Sequence, residues 1–275
     1  MNKESHPFNR CGIAALSDLE TPEWRELFQI LERDQSEFAR HAASFRSAEY
    51  KWPHDPLHTW SRIWEYPYVY HHLRDQKSLS TEKNPRLVDV GSGVTFFPFS
   101  VARLGYEVIC TDIDPVCERD LKRATAKIPA APGSVSSVLT TGDKLPFASG
   151  SVDCVTCISV IEHVDHFESL FAEITRILKP HGRFILTIDL GMRGNSELTV
   201  LRHRLLSNLV TDAFNQAHRP TTTHPRNQLT SDSGPFPIQR SSLGRVKYFV
   251  RNFLPESWQG LCLACEGFYL SRKEY

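Results

Sequence analysis

Several groups of residues in this chain have types and spacings that could do chemistry. Leu87-Val88-Asp89-Val90-Gly91-Ser92-Gly93 reads as a buried strand running into a glycine turn. Val108-Ile109-Cys110-Thr111-Asp112 reads as a second strand ending in a carboxylate. Glycines let a backbone approach a ligand with no Cβ in the way. A carboxylate at the end of the next strand can accept hydrogen bonds from ribose hydroxyls. Together they suit a nucleoside. Further along, Ile161-Glu162-His163 follows an expected strand, and Asp189 ends another. Histidine is the natural base near neutral pH, so His163 is the first candidate for taking a proton, with Asp189 behind it.

The nucleoside has two common forms in such a fold. A dinucleotide fingerprint wants G-x-G-x-x-G/A, with a small third residue for close helix–strand packing. Here Phe96 stands at that third position, which disfavours a nicotinamide-dependent oxidoreductase. Asp89 stands two residues before the first glycine instead. The segment resembles the first motif of class I S-adenosylmethionine-dependent methyltransferases, D/E-x-G-x-G-x-G, and departs from it at Thr95. The likeness continues in Gly142-Asp143-Lys144-Leu145-Pro146-Phe147, in Ser151-Val152-Asp153-Cys154-Val155, in Glu162-His163 and in Leu178-Lys179-Pro180-His181-Gly182. These run in the order of the small-molecule (methyltransferase type 11-like) branch, with His181 in place of a glycine. No Asn/Asp-Pro-Pro-Tyr/Phe element follows the fourth strand, which argues against the branch that methylates exocyclic amines of bases.

The resemblance implies S-adenosylmethionine as cofactor. Asp89, Gly91, Ser92 and Gly93 would surround its methionine part. Asp112 would hold the ribose hydroxyls, Ile113 would lie against the adenine, and Asp143 would accept from the adenine amino group. The backbone near Ser159 would line the methionine side. Methyl transfer from a sulfonium is an in-line displacement, so the site must align nucleophile, carbon and sulfur and exclude water. Asp114 reads instead as a turn former before Pro115.

These residues need strands and helices to place them. Strands are expected near 86–90, 107–112, 135–140, 152–158 and 183–189, and helices near 96–104, 115–127 and 166–178. Short apolar strands alternating with helices mean an α/β fold with ligands at the carboxyl ends of the strands. The expected architecture is a Rossmann-like, doubly wound, mostly parallel sheet with helices on both faces and a helical N-terminal cap. Residues 1–83 form the cap, 84–190 the cofactor-binding core, and 191–275 a C-terminal part of the same domain. In the cap, Thr21-Pro22 starts a helix over 22–45, with Trp24, Leu27, Phe28, Leu31 and Phe38 at helical spacing. The prolines of the following aromatic stretch, 52–68, are expected to break regular structure. Its Arg62, Trp64, Glu65, Tyr66 and Tyr68 form either a lid, with Arg62 on the cofactor carboxylate and the rings on substrate, or simply a packed cap. Beyond the core, 196–217 reads as a helix, 218–241 as a long loop, 242–253 as another helix and 266–271 as a closing strand.

Composition narrows the class. Lysine plus arginine and aspartate plus glutamate are both 32, so no basic excess tracks a phosphate backbone, and no nucleic-acid partner is expected. No apolar run approaches the ~20 residues of a membrane span. The polar start Met1-Asn2-Lys3-Glu4 does not read as a signal peptide. Seven cysteines, an odd number, fit a reducing cytoplasm. His54, Asp55, His58, His71 and His72 match no metal spacing and read as surface or packing residues. Cys154/Cys157 and Cys262/Cys265 read as apolar packing residues. The expected enzyme transfers a methyl group to a small-molecule acceptor, on oxygen by preference. The rivals are methylation of a macromolecule and a non-catalytic partner that keeps the fold.

Overall fold

The computed structural model describes residues 6–142, 144–193, 196–238 and 261–273. Its strands are β1 (Gly12–Ile13), β2 (Arg86–Val90), β3 (Glu107–Asp112), β4 (Ser134–Leu139), β5 (Val152–Ile158), β6 (Leu178–Arg193), β7 (Phe214–Gln216) and β8 (Cys262–Arg272). They make one sheet in the order β1-β8-β6-β5-β2-β3-β4, with β7 also on β8. Strands β2 to β6 are mutually parallel, and β8 runs antiparallel to β6. The helices are α1 (Pro22–His41), α2 (Arg62–Leu79), α3 (Phe97–Arg103), α4 (Pro115–Thr125), α5 (Phe167–Ile177) and α6 (Val200–Ala213).

Successive residues of a strand point to opposite faces, and here both faces are apolar. Leu87, Val108, Cys110 and Cys154 join a cluster with residues of α1 to α4. Val88, Ile109 and Val155 join another with residues of α5 and α6. The sheet is thus covered on both sides, the Rossmann-like arrangement expected from the short apolar strands.

The stretch after Trp52 departs from expectation. Prolines were reason to expect irregular chain, yet α2 runs through Pro67. Proline has no N–H, so the carbonyl four residues earlier loses its helical donor. That carbonyl belongs to Ile63, and the Trp24 indole Nε1 donates to it at 2.8 Å. Helix α1 therefore supplies the bond that the proline removes. Every residue from Ile63 to Leu73 is buried, because α2 lies on the sheet. A Cβ at Gly267 of β8 would stand 2.8 Å from Trp64 and 2.9 Å from Tyr68. A glycine there lets the two stacked rings sit directly on the strand. Trp64 is a core residue and not part of a lid.

The cap is tied to the core at the end that carries the glycine turn. Asp120 of α4, fully buried, accepts from Ser47 N and Ser47 Oγ, both at 2.7 Å. Arg46 donates to the Val94 carbonyl at 2.9 Å, and its guanidinium lies 4.8 Å from the Tyr50 ring centre. The described part of the long loop, 218–238, is pinned. Its residues bridge to the sheet at Cys11–Pro220, Ala15–Gln228 and Thr230–Ala264, and Leu229 is buried. The helix expected over 242–253 lies outside the described residues.

Candidate active site

The glycine turn after β2 has the backbone that glycine permits. Gly91 and Gly93 have φ of +67° and +57°, a region that side chains disfavour. Gly91 N and Ser92 N donate to Thr111 O at 2.8 and 3.2 Å, which locks the turn against β3. A Cβ at Gly91 would stand 2.6 Å from Val160.

Asp112 closes the other side. Its Oδ2 accepts from Gly93 N at 3.0 Å and its Oδ1 from Asp114 N at 2.9 Å. Each carboxylate oxygen has two lone pairs, so one on each remains for hydroxyls. Asp114 accepts from Val116 N at 2.8 Å and caps α4, as its turn-former role implies. Ser92, Gly93, Cys110, Asp112, Cys117 and Ser137 line a small hollow. Beside it Ile113 is 67 % exposed, a large apolar side chain facing outward. A glycine turn, a two-pronged acceptor and a bare apolar face fit an adenosyl group. Asp89, Gly91, Ser92 and Gly93 would lie along its methionine part, Asp112 at its ribose and Ile113 at its base. Asp143 lies outside the described residues.

Next to this cradle the strand ends gather carboxylates. Asp89 is buried and accepts from Thr156 Oγ1 at 2.6 Å. Burial pushes its carboxyl up to about 7, against the pull of the Thr156 bond. Ser159, after β5, has φ of +46°. Its Oγ accepts from Arg62 at 2.7 Å and lies 2.6 Å from Glu65 Oε1 and 3.4 Å from Asp189 Oδ1. A hydroxyl has one proton to give, and the shorter distance assigns it to Glu65. Glu65 is fully buried and forms an ion pair with Arg62. Burial pushes its carboxyl up, but Arg62 and Ser159 together hold it below the usual range. Asp189 is raised to about 7 by burial and by Glu65. Glu162, 2 % exposed, accepts from Asp189 N at 2.9 Å through Oε1, and its carboxyl is raised by burial and by Asp189.

His163 takes a different position from its neighbour. The 3-10 turn Ile161–His163 points Glu162 inward and leaves the His163 side chain 55 % exposed. Its Nδ1 is bonded to the Glu197 carboxylate. A carboxylate only accepts, so Nδ1 carries hydrogen, and in the neutral ring Nε2 keeps its lone pair. Arg202 of α6 fastens this corner by donating to the carbonyls of Glu162, Val164 and Glu197 at 3.1, 2.5 and 2.6 Å.

The structure therefore brings together Asp89, Gly91, Ser92, Gly93, Asp112 and Ile113, and beside them Arg62, Ser159 and Asp189. Arg62 reaches the site, but it is committed to Glu65 and Ser159. Tyr66 stacks on Phe97 at 4.6 Å between ring centres and is buried. Sequence reasoning passed over Glu162, Tyr50, Arg46 and Arg202. The inward turn of Glu162 is set by the loop after β5, and the others act across 40 to 48 residues of chain, so no local pattern marks them.

Residues 88–186 match a family model described as a methyltransferase domain. An uncharacterized methyltransferase of Mycobacterium sp. (strain JLS) is 34% identical over 151 residues, covering 53% of this chain and 57% of that protein. The biotin biosynthesis bifunctional protein BioHC of Cellvibrio japonicus is 37% identical over 107 residues, 38% of this chain and 20% of that protein. The chain thus spans little more than half the length of the mycobacterial relative, and less of the other. Among solved structures, a protein from Galdieria sulphuraria provisionally assigned as a sarcosine dimethylglycine methyltransferase superposes with a TM-score of 0.52 at 16% identity. That match covers 87% of this chain and 98% of the other, and it shares the fold. With the domain match lying over the glycine turn, Asp112 and Glu162, residues 88–186 are similar to a methyltransferase domain, and the comparisons support a class I S-adenosylmethionine-dependent methyltransferase.

Proposed function

We propose that the protein transfers a methyl group from S-adenosylmethionine to a hydroxyl of a small-molecule acceptor. The observation that carries this reading is Asp112, fixed across the glycine turn by Gly93 N–H with acceptor capacity left over. Bound S-adenosylmethionine supplies an electrophilic methyl group on a sulfonium. The chain contributes position and proton handling. Asp89, Gly91, Ser92, Gly93, Asp112 and Ile113 orient the donor, with Asp143 and the backbone at Ser159 as further contacts.

His163, its Nε2 poised by Glu197, takes the proton that an attacking hydroxyl loses. Its side chain, 55 % exposed, is open to an acceptor arriving from solvent. A neutral chain with 32 acidic and 32 basic residues gives no electrostatic reason for a nucleic-acid acceptor. Among the described residues no helix is long and apolar enough to cross a membrane. Seven free, buried cysteines support a reducing, cytoplasmic setting.

The test uses methyl-labelled donor with fractionated small-molecule, RNA and protein acceptors. Label is expected in the small-molecule fraction, and label in RNA or protein alone contradicts the reading. With a working acceptor, His163→Ala is expected to lower turnover about 10²-fold, the usual scale of general-base catalysis, with donor affinity unchanged. Near-native turnover in that variant would remove His163 from the mechanism.

A further inference from the structure

Beyond orienting the donor, the cleft carries an imbalance of charge. Three carboxylates meet beside the ends of β5 and β6, Glu162 from the turn after β5, Asp189 from β6 and Glu65 from α2, and Asp89 of β2 shares Arg62 with Glu65 and Asp189. Arg62 is the cation that faces them, and it is paired with Glu65. Arg202 is aimed at backbone carbonyls. Among the described residues, the remaining titratable neighbours bring no positive charge. Tyr66, Cys157 and Cys265 are all pushed up by burial and stay neutral, while Asp112 and Glu197 add negative charge at the margins.

One atom shows that this imbalance is unrelieved. Glu162 Oε2 is buried with no hydrogen-bond partner, while Oε1 takes Asp189 N–H. A buried carboxylate oxygen without a partner is costly. It must be protonated in the free protein or meet a cation that arrives. The ligand assigned to the cradle above has a sulfur that is positively charged before transfer and neutral after.

We propose that Glu162 and Asp189, backed by Asp89 and Glu65, are the counter-charge of the donor's sulfonium. They select S-adenosylmethionine over its neutral thioether product, and they give up a proton as the donor binds. The proposal rests on the assignment of the cleft to S-adenosylmethionine. It makes product release a consequence of the reaction: methyl transfer removes the charge that the carboxylates hold, and a proton returns to them as the thioether leaves. The direction with pH follows. Asp89 and Asp189 in the free protein titrate at about 7, so low pH keeps them neutral and makes the cation pull a proton off. Raising pH removes that cost, and donor affinity rises. The thioether carries the same α-amino and carboxylate groups, but the sulfonium lowers the donor's α-ammonium pKa, so each free ligand is titrated separately and its own protonation subtracted.

The experiment is calorimetric titration of the whole chain with S-adenosylmethionine and with S-adenosylhomocysteine, in buffers of different ionisation enthalpy. For one linked proton, the ratio of donor to product affinity is expected to rise about tenfold from pH 6 to pH 8, with proton release on donor binding alone. Glu162→Gln, which keeps an acceptor for Asp189 N–H, is expected to reduce that rise and leave product affinity unchanged. If Glu162→Gln fails to fold, Asp189→Asn is expected to give the same flattening, and the wild-type comparison stands by itself. Equal pH dependence for the two ligands overturns the proposal while leaving the cofactor assignment intact. Binding of neither ligand overturns both.

Discussion

Gly91→Ala is expected to abolish donor binding and to destabilise the protein by roughly 3 kcal/mol, the sum of a left-handed backbone penalty and an overpacking clash. Gly91 has φ of +67°, and an added Cβ would stand 2.6 and 2.7 Å from the two Val160 methyls. Val160 follows Ser159, so relief of the clash would move the loop that carries Ser159 and Glu162. Gly93 provides the control. Its φ is +57°, yet the nearest atom to an added Cβ is the Tyr50 hydroxyl at 3.5 Å. Gly93→Ala should therefore cost only the backbone penalty, about 1 kcal/mol. Urea denaturation separates the two, and equal losses would mean that contact with Val160 does not constrain the turn.

Arg62→Ala is expected to cost about 3 kcal/mol at neutral pH, because removing one partner of a buried ion pair leaves the other charge uncompensated. Glu65 is fully buried and depends on Arg62 and Ser159 for its neutralising contacts. The sign with pH can be worked out. In the intact protein Glu65 is held below the usual carboxylate range, so its contribution is present above the unfolded carboxyl value and lost as pH falls. Without Arg62, burial raises the Glu65 carboxyl, and the variant loses stability as pH rises. The gap between the proteins should widen from about pH 4 upward. Arg62→Ala combined with Glu65→Gln should recover much of the loss at neutral pH. A gap that does not change with pH would show that Arg62 acts through packing alone.

The parts of the fold legible in the sequence were those set by local pattern. Strands β2, β3 and β5 lie where the apolar runs place them, and Thr21 caps α1 with Trp24 N donating to its Oγ1 at 3.2 Å. Helix α2 was not legible, because the Ile63 carbonyl freed by Pro67 is satisfied by an indole 39 residues from Ile63 in sequence. The substitution of His181 for a glycine left the turn intact, since His181 adopts φ of +60° itself. In the site, the glycine turn and Asp112 could be read from spacing. The inward Glu162 beside the outward His163 could not. Which of two adjacent residues turns inward depends on the 3-10 turn, and that is held by Arg202 from a helix with no recognisable motif.

The central claim is that Asp112 and the glycine turn hold an adenosyl donor, and calorimetric titration of the wild-type chain and of Asp112→Ala tests it most directly. Wild type is expected to bind S-adenosylmethionine and not a nicotinamide dinucleotide, and Asp112→Ala to lose that binding while remaining folded. Donor binding that survives unchanged in Asp112→Ala, or its absence from the wild-type protein, would contradict the account.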